Sequence, residues 1–302
     1  MEKSGIKTIL IPVDFSEYSL FACELGFNYA HDAGAQIDIL HAFYTVQFPI
    51  SPIPSIPLPF GENSLLINEG EFLQIQKKEQ EDLDKFAGLI EEKISTGQWP
   101  AVPYNCFLKI GLPEEEIVSY SNESKPEIVI MGTRGKSRKD ADLIGSVTAE
   151  VIEHVKVPLL AIPENTPFHS LSQMKRVAFG TSFEEKDLLA FDNLFKLLKF
   201  YPVEYYLFHL THESNVWNEI KLAGIKEYFQ KQYPDIPIHY QIVNTDNLEE
   251  NIEKFVREEN IDIISLATYK RNFFARIFSP GIARKMLFHT DTPLLTLYSL
   301  PS

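Results

Sequence analysis

The stretch Ile128-Val-Ile-Met-Gly-Thr-Arg-Gly135, followed after nine further residues by Gly145-Ser-Val147, joins a short apolar run to a loop and then to a helix-like segment, Val147 to His154. An apolar run of this length, bounded by glycine, reads as a buried strand. Glycines let a backbone come close to an anion, and the free N–H groups at a helix N-terminus carry partial positive charge. The intervening loop is basic, with Arg134, Lys136, Arg138 and Lys139 set in a chain of net charge −14. Strand, glycine loop and helix start, in that order, predict an element that holds phosphate, and so a nucleotide.

This run has a second copy. Glu127-Ile-Val-Ile-Met-Gly-Thr133 matches Asp262-Ile-Ile-Ser-Leu-Ala-Thr268 at an offset of 135, which also carries His154 onto His289 and Val157-Pro-Leu-Leu160 onto Thr292-Pro-Leu-Leu295. Nearer the N-terminus the offset is 168. There Lys7-Thr-Ile-Leu-Ile-Pro-Val-Asp-Phe15 meets Lys175-Arg-Val-Ala-Phe-Gly-Thr-Ser-Phe183, and Ile37-Asp-Ile-Leu-His41 meets Tyr205-Tyr-Leu-Phe-His209. The 33-residue difference marks an insertion between the second and third strands of the first copy. Such self-similarity predicts two tandem domains, residues 1–165 and 166–302, with a boundary near Asn165-Thr-Pro-Phe168.

Each copy alternates strands and helices. In the first, strands are predicted near 7–13, 36–43, 104–109, 127–131 and 158–162. Helices are predicted at Tyr18–Ala33, Leu66–Ser95, Pro113–Ser121 and Gly145–His154. Pro113-Glu-Glu-Glu116 suits a first helical turn, where a missing N–H costs nothing and the helix dipole favours acids. Strands that are apolar throughout imply an α/β fold with a parallel sheet covered on both faces. Ligands of such sheets lie outside the carboxyl ends of the strands, so Asp14 and the Gly132 loop are expected to share one crevice.

Composition narrows the classes. A length of 302 with 44% hydrophobic residues suits one large or two ordinary domains. No apolar stretch is long enough to span a bilayer, and Met1-Glu-Lys-Ser-Gly5 leads into a strand without a signal-peptide pattern. Two cysteines make no disulfide framework, which points to a reducing cytoplasm. Cys23, in a helical pattern, and Cys106, in a strand pattern, read as buried thiols. The acidic balance speaks against nucleic acid.

The chain resembles the universal stress protein (UspA-like) family, in its form with two domains in one polypeptide. The resemblance rests on Gly-x2-Gly-x9-Gly-Ser at Gly132, Gly135, Gly145 and Ser146, on Ile11-Pro-Val-Asp-Phe-Ser16, on Leu40-His-Ala42 and on Gly111-x-Pro113. It covers nearly the whole chain outside residues 47–68. It implies two tandem Rossmann-like domains, each a parallel five-stranded sheet with helices on both faces. It further implies an adenine nucleotide, ATP with Mg2+, in the first domain. Pro12 and Asp14 would then lie beside adenine and ribose, with Asp14 accepting hydrogen bonds from them. Ala42 would wall the base, and Met131 and Gly132 would line the base and ribose. Gly135, Gly145, Ser146 and Val147 would contact phosphate.

The second copy departs from this pattern. Ala267 and Lys270 replace the first two glycines, Pro280-Gly281 stands for Gly145-Ser146, and Ser182 stands for Asp14. Proline removes an N–H that phosphate would use. Lys270, Arg271 and Arg276 keep some positive charge, but no tight nucleotide site is expected there. This half is expected to serve as a pseudo-symmetric partner within the chain, with further homodimerisation open.

Other signals carry less. Gly135-Lys-Ser137 imitates the end of a Walker A loop, but Ile130 occupies its first glycine position. His209-Leu-Thr-His212 has no clustered third ligand, and the repeat maps His209 onto His41, so a structural histidine is expected. Phe48 to Phe60 contains five prolines and reads as a stiff loop. The expected role is a nucleotide-holding regulatory or stress-response module presented to an unidentified protein partner. The alternative is a slow ATPase or a nucleotidyl or phosphoryl transferase in the same cleft, for which Asp140 and Asp142 are the nearby carboxylates.

Overall fold

The structure, a computed structural model, describes residues 7–45, 69–133, 145–211, 216–244, 248–268 and 292–298. The first half runs β1 (Thr8–Pro12), α1 (Glu17–Ala33), β2 (Gln36–Phe43), α2 (Glu69–Ser95), β3 (Tyr104–Ile110), α3 (Pro113–Ser124), β4 (Ile128–Gly132), α4 (Ser146–His154) and β5 (Leu159–Ile162). A 3-10 turn at Leu171–Gln173 precedes β6 (Arg176–Gly180), α5 (Glu185–Leu198), β7 (Glu204–Thr211), α6 (Val216–Gln232), β8 (Ile238–Asn244), α7 (Leu248–Glu258), β9 (Ile263–Thr268) and β10 (Leu294–Tyr298). The elements expected in the first half are present, with described ends shifted by up to three residues; the expected start of the second helix at Leu66 lies outside the described residues. The Phe48–Phe60 segment lies outside the described residues.

Local chemistry sets the element ends. Ser16 caps α1 by accepting from the Ser19 N–H, and Gly34 closes that helix in the left-handed region at φ 63°. Pro113 opens α3 and Glu114–Glu116 fill its first turn. Lys125 ends α3 at φ 49°, and Asn260, at the equivalent place before β9, has φ 50°. The halves therefore repeat backbone conformation as well as pattern.

Among the described residues, all ten strands form one sheet in the order β3-β2-β1-β4-β5-β10-β9-β6-β7-β8. Within each half the strands are parallel, and the two registers agree residue for residue. Thr8 pairs with Gln36 as Arg176 pairs with Glu204. Ile9 pairs with Ile128 as Val177 pairs with Ile263, and Val129 with Leu159 as Ile264 with Leu294. The halves meet where β5 and β10 run antiparallel, with Leu160 opposite Leu295. These two leucines are equivalent in the repeat, so a pseudo-two-fold axis passes between them. The expected five-stranded sheets are thus halves of one sheet, because each lends its β5-type edge to the other.

Two cores cover the two faces, and both run across the junction. One unites Ile9, Ile11, Ile37 and Ile130 with Phe27 of α1, Phe86 of α2, Phe191 of α5 and Phe229 of α6. The other unites Leu10, Leu40, Val129 and Met131 with Val151 of α4, Phe208 of β7 and Phe255 of α7. Fully burying a side chain of this kind contributes about 1.5–3 kcal/mol. Polar contacts tie α1 to α5 on the first face. Tyr29 Oη donates to the Leu197 carbonyl at 3.2 Å, and Tyr201 Oη donates to Asp32 Oδ2 at 2.9 Å. Leu197 is the repeat equivalent of Tyr29, so this contact also straddles the axis. Among the described residues no helix is long and apolar enough to cross a membrane.

Candidate functional site

In the first half the chain winds from β1 out to β2 and β3, then returns to the other side of β1 as β4. Strand order reverses between β1 and β4, and the carboxyl ends of both border that switch point, where an open parallel sheet leaves a crevice. Pro12 ends β1, Asp14 follows it, and Met131 and Gly132 end β4. Side chains alternate along a strand. Pro12, Ala42 and Met131 therefore share the face of Leu10, Leu40 and Val129, which is the face that α4 covers. The structure thus gathers these residues, with the start of α4, at one end of the sheet.

Asp14 is partly exposed, and its Oδ1 is tied into the turn. Its Oδ1 accepts from Ser16 N at 3.1 Å, Ser16 Oγ at 2.6 Å and Ser19 Oγ at 2.7 Å, while its own N–H donates to Ser19 Oγ at 2.9 Å. The next residue, Phe15, has φ 63°, a costly conformation for a residue with a bulky side chain. Its ring lies 4.1 Å from that of His41, centroid to centroid. His41 bonds the Val13 carbonyl through Nδ1 at 2.8 Å and Glu79 Oε2 of α2 through Nε2 at 3.1 Å. The sequence pattern located His41 but not this partner, because Glu79 lies beyond the insertion.

The start of α4 is built differently from its neighbours. Gly145 is its N-cap and offers no side-chain cap, and no acid stands in the first turn, whereas α1, α3 and α5 each carry one or more there. Among the described residues, no side chain answers its N–H groups and dipole at that end. Two bonds close the base of the preceding loop. Gly145 N donates to the Thr133 carbonyl at 2.8 Å, and Thr148 Oγ1 donates to the Gly132 carbonyl at 3.0 Å. Gly145 itself has φ −65° and ψ 149°, open to any residue, and among the described residues an added Cβ would meet only the Thr133 carbonyl oxygen at 3.7 Å. That backbone conformation does not call for glycine. A small cradle at a helix N-terminus is what an anion needs, so the donor set suits phosphate. Gly135, the basic residues 134–139, Asp140 and Asp142 lie outside the described residues.

The family model of the universal stress proteins matches residues 5–163, just over half of the chain. The chain belongs to the universal stress protein family. A universal stress protein of Methanocaldococcus jannaschii, MJ0531, is 32% identical over 157 residues, covering 52% of this chain and 81% of the relative. MJ0577 of the same organism is 27% identical over 156 residues, covering 52% of this chain and 94% of the relative. Among solved structures, a universal stress protein from Archaeoglobus fulgidus matches 97% of this chain and 96% of its own length, with a TM-score of 0.70 and 18% identity. That likeness concerns the fold, and it spans both halves.

The second half of this universal stress protein keeps the frame around β6 and changes the contents. His209 bonds the Thr181 carbonyl at 2.8 Å and lies 4.1 Å from Phe183, which has φ 59°, repeating His41, Val13 and Phe15. Burial holds the His209 imidazole below its ordinary range, which favours the neutral ring of a structural histidine. At the places of Pro12, Ala42 and Met131 stand Gly180, Leu210 and Leu266. A Cβ on Gly180 would meet Leu266 Cδ2 at 2.6 Å and Phe208 Cζ at 3.1 Å, so side chains occupy the space that Pro12 fills in the first half. Pro280, at the position of Gly145, lies outside the described residues but has no N–H with which to close a loop base.

Other reactive groups are quiet. Cys23 is buried and Cys106 half-buried, and burial pushes both thiols up, Cys106 to about 11. Glu150, Glu153 and His154 come together at the far end of α4, the one cluster of metal-ligating type among the described residues. They are exposed or nearly so, and they lie away from the crevice.

Proposed function

We propose that the first half holds an adenine nucleotide, ATP with Mg2+, in the crevice between β1 and β4, and that the chain acts as a regulatory module presenting the loaded or empty state to a protein partner. The observation that carries the reading is the start of α4, where a helix N-terminus with no side-chain cap and no acid in its first turn has a loop base closed by Gly145 and Thr148, beside the end of β4 at the switch point that Asp14 also borders. In this reading Ser146 and Val147 hold phosphate with Gly145 and Gly135. Asp14 accepts from the nucleoside, Pro12, Ala42 and Met131 flank the base, and Gly132 lines the ribose. Mg2+ would neutralise phosphate charge when bound. Membership of the universal stress protein family supports the reading.

The second half, proposed as residues 166–302 against 1–165 for the first, acts as a partner that completes the sheet. Its filled space at Gly180 and its Pro280 support that division of labour. Calorimetric titration of the whole chain with ATP and Mg2+, followed by assay of the same sample for ADP, tests the proposal. One equivalent bound without ADP is the expected result. Turnover would move the reading to an enzyme, and no binding in nucleotide-free protein would end it.

A further inference from the structure

The turn between β1 and α1 and the turn between β6 and α5 solve one problem in opposite ways. In the first, the carboxylate sits on the strand side as Asp14 and the hydroxyl on the helix side as Ser19. In the second, the strand side has the hydroxyl residue Ser182 and the helix side the carboxylate Asp187. The pairs are equivalent in the repeat, so the two groups have changed places.

The geometry shows what the exchange does. Ser19 is 5% exposed, so its hydroxyl is confined to the turn. It donates its one proton to Asp14 Oδ1 at 2.7 Å and accepts the Asp14 N–H at 2.9 Å, a two-bond clasp that uses both capacities of a hydroxyl. With Ser16, it sets the carboxylate against α1. In the second half Asp187 is 3% exposed and turned inward. Its Oδ2 accepts from Ser182 N at 2.7 Å, Thr181 Oγ1 at 2.8 Å and Glu184 N at 3.2 Å. Both arrangements close the turn. Only the first leaves a carboxylate beside the switch point.

We infer that Ser19 is a positioning residue for Asp14, and that the exchange with Ser182 and Asp187 decides which half presents a carboxylate to the hydrogen-bond donors of a nucleoside. The inference rests on the nucleotide reading above. Ser19 bonds Asp14 and Ser16 within the β1–α1 turn, so its effect runs through the carboxylate and is separable from that of the α4 site.

The test is calorimetry on the full chain with two probes, Mg-ATP and inorganic tripolyphosphate. Ser19→Ala is expected to weaken ATP about tenfold, the usual size for losing a hydrogen bond to a charged group, and to leave tripolyphosphate unchanged. Ser19→Cys, of similar shape but a weak donor, carries the same expectation if the alanine variant fails to fold. Ser19→Thr, which keeps the hydroxyl, should restore ATP affinity. Asp14→Asn should cost at least as much as Ser19→Ala, and adding Ser19→Ala to it should cost little more. ATP affinity unchanged in Ser19→Ala, full additivity with Asp14→Asn, or equal loss of tripolyphosphate would each overturn the inference. A wild-type chain that takes up no ATP removes the function and the inference together; a wild-type chain that binds, with Ser19→Ala unchanged, removes the inference alone.

Discussion

Asp187 shows how a carboxylate can be wholly structural. It is buried, and one oxygen serves three donors at the start of α5. Asp187→Ala leaves those donors short of a partner and should cost about 2–4 kcal/mol in urea unfolding. ATP binding should be unchanged, because the altered turn belongs to the other half. Gly145 makes the opposite case. Its backbone is unstrained and a methyl meets no close contact among the described residues, so Gly145→Ala should cost about 1 kcal/mol or less. The same methyl stands where phosphate is proposed, so ATP should weaken about tenfold, a differential that calorimetry beside a thermal melt resolves. The place of Asp14, just past the end of β1 at the switch point, could be read from the sequence, because parallel strands bring their carboxyl ends together. Ser19 could not, because a serine in a first helical turn looks like any other until the hydroxyl is seen clasping a carboxylate.

The strands of the first half could be read from short apolar runs and their ends from glycine, proline and acids. The shifts that occurred have simple causes. Helix α3 continues three residues past the expected Ser121 because Asn122, Glu123 and Ser124 carry no breaking signal, and Lys125 then ends it in a left-handed turn. The bonds closing the loop before α4 were invisible, since a threonine to carbonyl bond has no signature in spacing. Ser146 is the first helical residue of α4, a position that tolerates proline. Ser146→Pro should therefore leave α4 and the melting temperature intact while removing one N–H, and calorimetry should show at least a tenfold loss of ATP. Equivalent changes at Lys270 or Gly281 should leave ATP affinity as it was. Equal loss from both sets would overturn the assignment of the site to the first half.

The repeat was read in the sequence from strand motifs on either side of the insertion, but the joining of the halves was not. Antiparallel pairing of β5 with β10 depends on two edges meeting in space, and no local pattern encodes that. A fragment ending at residue 165 would leave the β5 edge uncovered, and uncovered edges pair. Size-exclusion chromatography should show that fragment self-associating, while a monomeric fragment would mean the junction contributes little. Ionisation offers a second handle. Burial raises the Cys106 thiol from 9.0 to about 11 and the Tyr240 phenol from 10.0 to about 12, and raises Tyr29 and Tyr201 between α1 and α5 further. Raised values mean that the unfolded chain loses these protons first. The stabilisation is thus complete below about pH 9 and declines as pH climbs through 10 to 12. Urea midpoints at pH 7, 9 and 10.5 should fall in that order, with most of the loss in the last step. The antiparallel junction has one more consequence. Two identical subunits can load in stages, so occupancy of one can sharpen or blunt uptake by the other. Under the proposal of one competent crevice per chain, a single copy has no second event to couple. Its response to nucleotide should be hyperbolic with a Hill coefficient of about one, a graded gauge rather than a threshold.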